Sequence, residues 1–414
     1  MKTSVLSRRR FLTSSSASAL LGASVFAGPA GLVSRFATAV EDKNAAQLIV
    51  GKDQRLIVLK DGPAVIETPL ELLLKPGPTS ADILFVRNNQ QPENAATMQP
   101  HPLEGWKIEL SGLLNRNVEI DAAELAEMDQ VEHEMVLQCS GNGRSLFSRS
   151  AQTKGTQWGR GGFGCVRFGG VKLSTLLEKK GIEPKAAARF VTAEGIDKPA
   201  GDDEDFEHSL PLDDVLNRSL IALSLNGKPL PAIHGGPVRL VTPGVYGTMQ
   251  MKWLSRLRFE TSETTNLNHA VRYRVPRKPI KPGSEFTFTF DNSDFDWNMK
   301  VKTVLLTPAP EATVAAGKVV VEGVAFNDGQ AAIETVMVSL DKGQSWQRAR
   351  LEPPDERYSW TRFRHDVSLN KGPHSVWTRA IDRWGRSQPL DGSIAWNPSG
   401  YEWNGVEQID FVVT

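Results

Sequence analysis

Short apolar runs that end in polar residues recur along the first two thirds of the chain. Ile83-Leu84-Phe85-Val86 stops at Arg87-Asn88-Asn89, and Met135-Val136-Leu137 runs into Gln138-Cys139. Runs of this length read as strands. Trp106-Lys107-Ile108-Glu109-Leu110 alternates instead, ahead of a Ser111-Gly112 turn, as a half-buried strand does. Pro237 to Gly244 is a strand bracketed by breakers. The capping-box spacing from Thr175 to Glu178, with Gly181 beyond it, predicts a short helix. From Val40 to Asp296 this is an α+β pattern, with polar side chains where strands give way to loops, a common place for binding groups.

From Val301 onward the pattern changes. Val319 to Phe326, Glu334 to Leu340, Trp346 to Leu351, Trp360 to Val367, Ser375 to Ile381 and Gln408 to Val413 are strand-like, spaced by turns such as Asp341-Lys342-Gly343-Gln344. Helical periodicity is absent. Regular short strands predict an all-β sandwich of immunoglobulin type over residues 297–414, joined near residue 297 to a first domain of residues 40–296.

A length of 414 residues fits two domains of roughly 100 to 200 residues each. The 48 basic and 48 acidic residues give no basic stripe for nucleic acid. Lys2, Arg8, Arg9, Arg10 and Arg35 are the only charged residues among the first 39, so a chain without them carries 43 basic against 48 acidic groups. Those 39 residues read as a twin-arginine export signal. Ser7-Arg8-Arg9-Arg10-Phe11-Leu12 precedes a mildly apolar stretch, and Ala37-Thr38-Ala39 offers small residues for cleavage. The alternative is a membrane anchor, against which the many Ser and Gly residues argue; no later segment is long and apolar enough to span. The expectation is a periplasmic protein exported folded, which suits a cofactor inserted before export.

Cys139 and Cys165 are the only cysteines, and no Cys-x-x-Cys occurs, so the chain offers no cysteine cluster for iron–sulfur and no haem attachment motif. The seven histidines show no zinc spacing, and no Gly-x-Ser-x-Gly or phosphate-loop motif is present. If electrons flow, they leave by another protein. In Leu137-Gln138-Cys139-Ser140-Gly141-Asn142-Gly143-Arg144, a cysteine at a strand end precedes small residues and a cation. Such a thiol suits a nucleophile or a soft metal ligand.

These residues resemble the sulfite oxidases, which carry molybdenum on a pyranopterin dithiolene cofactor. The likeness includes Phe85-Val86-Arg87-Asn88, the Cys139 segment with Arg144, Glu194-Gly195-Ile196-Asp197, His234 to Arg239, Val241 to Gly247, Lys252-Trp253-Leu254 and Tyr273. The resemblance implies a molybdopterin-binding domain of sulfite oxidase fold followed by an immunoglobulin-like dimerisation domain, hence a homodimer. It implies Cys139 as the thiolate ligand of molybdenum, a role that fits a soft donor. By the same likeness Arg87, Asn88, Asn89, Asp197, His234, Arg239 and Lys252 would hold the pterin and its phosphate. Arg87, Arg144 and Tyr273 would face sulfite, with Tyr273 coupling proton release to electron departure. Arg239, between Val238 and Leu240, needs an acidic partner if buried, and a ligand phosphate would supply one.

The implied activity is oxidation of sulfite to sulfate, with electrons passed singly to an external c-type cytochrome. Three departures stand against a simple transfer of function. Asn89 replaces a common histidine, Phe168 a common tryptophan, and Trp396-Asn397-Pro398-Ser399-Gly400 lacks the arginine of the family's Trp-Asn-x-Arg-Gly. Asn89 and Ser399 keep open another oxyanion or a sulfoxide as substrate. A noncatalytic subunit that has lost the metal is the reading of a different class.

Overall fold

The computed structural model describes residues 44–199 and 203–414, so the expected export signal lies outside the described residues. Two five-stranded sheets organise the first part of the chain. In one, Val131–Gln138 pairs with Phe163–Lys172, which pairs with Leu220–Leu225, and the last also takes Lys228–Pro229 and Arg239–Val241, all antiparallel. In the other the order is Val118–Asp121, Lys107–Gly112, Leu254–Glu260, Phe190–Gly195 and Glu207–Pro211, with one parallel pair, Lys107–Gly112 beside Leu254–Glu260. A smaller sheet joins Ile57–Lys60, Val65–Glu67 and Val86–Arg87.

Leu110, Leu176, Leu240, Leu257 and Phe259 share the main core of this part, all fully buried. Full burial of such a side chain stabilises by about 1.5–3 kcal/mol each. The helix Leu173–Lys180 lies over it and ends where Gly181 turns left-handed at φ 60° and donates to the Glu178 and Leu177 carbonyls. Its start differs from the capping-box expectation. Lys172 occupies the N-cap without a side-chain bond, because the preceding strand runs straight into the helix. The apolar run at 83–86 is also only partly strand. Ile83 and Leu84 donate to the Ser80 carbonyl in a turn, and pairing begins at Val86.

Two packed sheets make up the C-terminal part. One runs Lys302–Thr307, Gly317–Phe326, Thr361–Leu369, Arg350–Glu352; the other runs Thr313–Val314, Glu407–Val413, Gly372–Asp382, Ile333–Ser339, Gln347–Arg348. Glu407–Val413 alternates buried and exposed residues without interruption, and Val321, Val338, Phe363, Val376 and Phe411 fill the space between the sheets. This is the expected β-sandwich. The segment 346–351 is split between the two sheets at Ala349, whose amide bonds to the Val336 carbonyl.

A separate apolar cluster fastens the sandwich to the first sheet. Phe163 stacks on Phe326 at 5.6 Å between centroids, and Val136, Tyr246, Val304 and Trp360 surround them. That attachment carries the loop 396–401 onto the end of strand Val131–Gln138, where the polar residues gather.

Candidate active site

Strand pairing places the thiol. Gln138 stands opposite Phe163 in the ladder, and the next amide, that of Cys139, donates to the Gly162 carbonyl at 2.9 Å. The chain then turns sharply through Gly143, at φ 92°, into the short helix Arg144–Phe147. A Cβ at Gly143 would lie 2.6 Å from Trp403, so the turn is tight on both sides. Cys139 is half-buried at this corner and Cys165 is fully buried. Neither is in a disulfide, and Cys165 instead bonds to Ser359 at 3.1 Å. Burial pushes the Cys139 thiol up, outweighing the opposite pull of Arg87 and Arg144.

Two adjoining cavities meet at Cys139 and share Arg87, Asn89 and Tyr273 as walls. Arg87, at the end of its strand, donates to the Asn88 carbonyl and to Asn89 Oδ1. Asn89 Nδ2 donates to the Tyr273 hydroxyl at 2.8 Å, and Arg87 Nη2 approaches the same oxygen at 3.4 Å. Tyr273 packs between Phe206, edge-on, and Tyr401, stacked at 5.1 Å.

The inner cleft, about 70 Å³, is also lined by Asn88, Asp197, His234, Arg239 and Lys252. Lys252 Nζ donates to Asn88 Oδ1 at 2.7 Å and to the Ile233 carbonyl at 2.8 Å. Arg239, 3% exposed, donates to the carbonyls of Gln250 and His234 and has no carboxylate partner among the described residues. Its guanidinium lies 5.5 Å from the centre of the Phe168 ring, so phenylalanine still offers an aromatic face at this position. Burial holds the Arg239 pKa down to about 9. Burial and the charges of Lys52 and Lys252 keep His234 neutral, well below the ordinary histidine range.

Lys52 was not singled out from the sequence. Its side chain is 4% exposed and its Nζ lies 2.9 Å from His234 Nε2 and 2.6 Å from the Ala81 and Leu84 carbonyls. Asp197, the one carboxylate lining the cleft among the described residues, is pushed up to about 6 by burial. Arg87, Arg239 and Lys252 thus line a cleft with this single acid, and Lys52 stands behind them against His234. Such a cluster is costly unless an anion completes it.

The outer cavity, about 600 Å³, holds Arg144. Arg144 Nε donates to the Ser399 carbonyl and Nη1 to the Thr156 carbonyl, each at 2.8 Å. Three glycines make room for this side chain. A Cβ at Gly141 would stand 2.8 Å from Nη2, one at Gly155 2.9 Å from Nη1, and one at Gly400 2.5 Å from Cγ. Tyr401 lies 4.9 Å beneath the guanidinium. Ser399, at the departure from the arginine pattern, therefore acts through its backbone oxygen, which holds Arg144 in place. Behind the Cys139 turn, Lys302 of the sandwich donates to the Asn142 carbonyl at 3.1 Å, and burial lowers its pKa to about 8. Asp296 is fully buried there, its carboxyl pushed well above the ordinary range by burial and by Glu402, with Ser140 beside it pulling the other way. Neither Lys302 nor Asp296 stands out in the sequence, because each sits in an ordinary strand-edge context.

Among the described residues no group of three or more His, Cys, Asp or Glu side chains is placed to hold a metal. A metal at Cys139 would need its other donors from a bound cofactor. The residues fit such a molecule. A soft thiol stands at the mouth of a cleft whose buried cations await an anion, and the unpartnered Gln250 Oε1 and the Asn88 and Asn89 amides offer polar contacts for a heterocycle.

Comparison with known proteins agrees. Residues 95–268 match the oxidoreductase molybdopterin binding domain and residues 293–407 the Mo-co oxidoreductase dimerisation domain. Mitochondrial sulfite oxidase of Mus musculus is 29% identical over 349 residues, covering 82% of this chain and 62% of the relative. The chain thus spans less than two thirds of that protein's length. An NADPH nitrate reductase of Fusarium oxysporum is 30% identical over 332 residues, covering 77% of this chain and 36% of the reductase. The crystal structure of the sulfane dehydrogenase SoxCD from Paracoccus pantotrophus superposes with a TM-score of 0.70 at 24% identity, covering 83% of each chain, which shows a shared fold. With both domain families matched in order along a fold of this type, the chain belongs to the sulfite oxidase family.

Proposed function

We propose that this protein is a molybdenum-dependent sulfite dehydrogenase that converts sulfite to sulfate and passes the two electrons singly to an external c-type cytochrome. The observation that carries this reading is the position of Cys139, where a cationic inner cleft meets an outer cavity flanked by Arg87 and Arg144. In this reading the Cys139 thiolate ligates molybdenum. Arg87, Asn88, Asn89, Asp197, His234, Arg239 and Lys252 hold the pterin, with Lys52 adding charge beside His234 for the phosphate. When bound, the molybdenum cofactor supplies two-electron redox chemistry and oxygen transfer.

The protein's own groups supply the rest. Arg87 and Arg144 attract a small anion and fix its orientation by charge-assisted hydrogen bonds. Tyr273, held by Asn89, presents a hydroxyl that donates a hydrogen bond beside the thiol and can pass a proton outward. In the net reaction sulfite and water give sulfate, two protons and two electrons.

Three further parts of the reading rest on the sequence and the family. The twin-arginine run at Arg8-Arg9-Arg10 supports export in a folded state to the periplasm. Among the described residues no helix is long and apolar enough to cross a membrane. The match of residues 293–407 to a dimerisation domain supports a homodimer.

A second reading places another oxyanion at the same site. Identity to a nitrate reductase favours it, together with Asn89 and Ser399. The deciding experiment takes one purified sample, measures molybdenum per chain, and follows ferricyanide reduction with sulfite and reoxidation of the reduced enzyme by nitrate. Stoichiometric metal with sulfite-dependent reduction supports the dehydrogenase. Metal with nitrate turnover alone supports the second reading, and protein that takes up no molybdenum is the noncatalytic subunit.

A further inference from the structure

The outer cavity is larger and more apolar than an inorganic oxyanion requires. At about 600 Å³ it has room for about twenty waters at ~30 Å³ each, whereas sulfite has four heavy atoms. Beyond Arg87 and Arg144 its wall passes to Trp158, Val271, Phe286, Phe288, Pro398 and Tyr401. Phe286 and Phe288 are half-buried and meet edge to face at 5.0 Å. They stand on an irregular segment whose shape is fixed by hydrogen bonds. Asn292 donates from Nδ2 to the Thr287 carbonyl and accepts on Oδ1 from the Thr289 amide, each at 2.9 Å, so both rings sit on anchored backbone.

The cationic end of the cavity is also limited. Arg144 has Nε and Nη1 committed to backbone carbonyls, and Arg87 has both terminal nitrogens engaged by Asn88 and Asn89. Farther out, Arg272 is paired with Asp203 at 2.6 Å, and the exposed Lys154 also lines the cavity. Two partly committed guanidiniums beside an apolar wall match an amphiphilic anion.

We propose that this cavity admits organosulfinates, R–SO2⁻, with an aryl or alkyl group R on the Phe286–Phe288 wall and the sulfinate between Arg87 and Arg144. The inference rests on the sulfite-oxidising reading, because a sulfinate carries the same reactive feature, a lone pair on sulfur. Its oxidation balances in the same way. The lone pair forms one new S–O bond to an oxygen drawn from water, giving R–SO3⁻. Two protons leave to solvent, and two electrons leave through the cofactor to two equivalents of a one-electron acceptor. No carbon–sulfur bond breaks.

The test uses the molybdenum-loaded protein with ferricyanide as acceptor and compares sulfite, methanesulfinate and benzenesulfinate. The expected result is oxidation of benzenesulfinate with a KM at least tenfold below those of sulfite and methanesulfinate. Calorimetric titration adds a readout independent of turnover, in which benzenesulfonate binds at least tenfold tighter than sulfate. In a Phe286→Ser/Phe288→Ser variant the kcat/KM ratio of benzenesulfinate to sulfite falls about tenfold or more, the scale of a lost apolar contact. The wild-type series stands if that variant does not fold. Oxidation of sulfite without benzenesulfinate, or equal binding of sulfate and benzenesulfonate, overturns the inference and leaves the sulfite reading intact. Loaded protein that oxidises none of the three overturns both.

Discussion

Asn89 and Tyr273 are 184 positions apart in the chain and meet in one hydrogen bond, the amide of Asn89 donating to the phenolic oxygen at 2.8 Å. Arg87 donates to the other end of the same amide, so one neutral side chain orients both a cation and a hydroxyl beside Cys139. An amide bonds on both sides at any ordinary pH, whereas a histidine would change its donors on protonation.

The first prediction concerns this bridge. Asn89→Ala frees the tyrosine, and kcat/KM for sulfite falls about tenfold, the value of one or two hydrogen bonds. Tyr273→Phe lowers it by a similar factor, and the double variant loses less than the product of the two, because both remove one shared contact. Steady-state rates of the four proteins check this; strictly multiplicative losses would show that the bridge has no role.

Cys139→Ser removes the soft donor while leaving the Cys139 amide free to bond Gly162. Molybdenum per chain measured by mass spectrometry falls tenfold or more. Cofactor-free stability changes by less than about 1 kcal/mol, since the site is half-buried and the substitution nearly isosteric.

Gly400→Ala places a Cβ 2.5 Å from Arg144 Cγ at a backbone φ of 61°. Both effects act together, costing about 1–3 kcal/mol of stability. The displaced guanidinium raises KM for sulfite more than it lowers kcat. Parallel denaturation and kinetic measurements separate the two effects.

Arg239→Met removes a buried cation that has no carboxylate partner among the described residues. The cofactor-free protein keeps or gains stability, because an unpaired buried charge is replaced by an apolar chain. Cofactor content falls at least tenfold. A cofactor-free protein less stable by more than about 2 kcal/mol would point to a structural role for the guanidinium.

Asp197 gives a pH dependence of defined sign. Its folded pKa, about 6, lies above the ordinary carboxylate value of 3.8, so between these limits the folded chain holds a proton that the unfolded chain has lost. Its contribution to stability is therefore greatest below pH 4, falls by about 3 kcal/mol as the pH rises to 6, and is flat above. The difference between wild type and Asp197→Asn in urea denaturation of the cofactor-free protein isolates this slope.

Much of the fold follows from local pattern. The alternation in Gln408 to Val413 foretells a strand with one buried face, and the break at Gly181 foretells a helix end, because both depend on near neighbours. The misreadings are also local. Thr175 has the right spacing for a cap, yet the helix starts at Leu173 because the strand before it is held in the sheet. Leu84 is as apolar as a strand residue, yet it is buried in a turn.

For the site, the sequence by itself determined the chemistry on offer: a soft thiol at a strand end, arginines and a lysine beside glycines and prolines, and a tyrosine between two arginines. The tertiary structure alone decided which of these share a space. It brought Lys52 to His234, Lys302 to the Cys139 turn, the Ser399 carbonyl to Arg144 and the Phe286–Phe288 wall to the outer cavity. The physical reason is that a residue type and its near neighbours fix what a side chain can donate, accept or ligate. Whether it is buried, and which charges face it, depends on how sheets distant in sequence pack together.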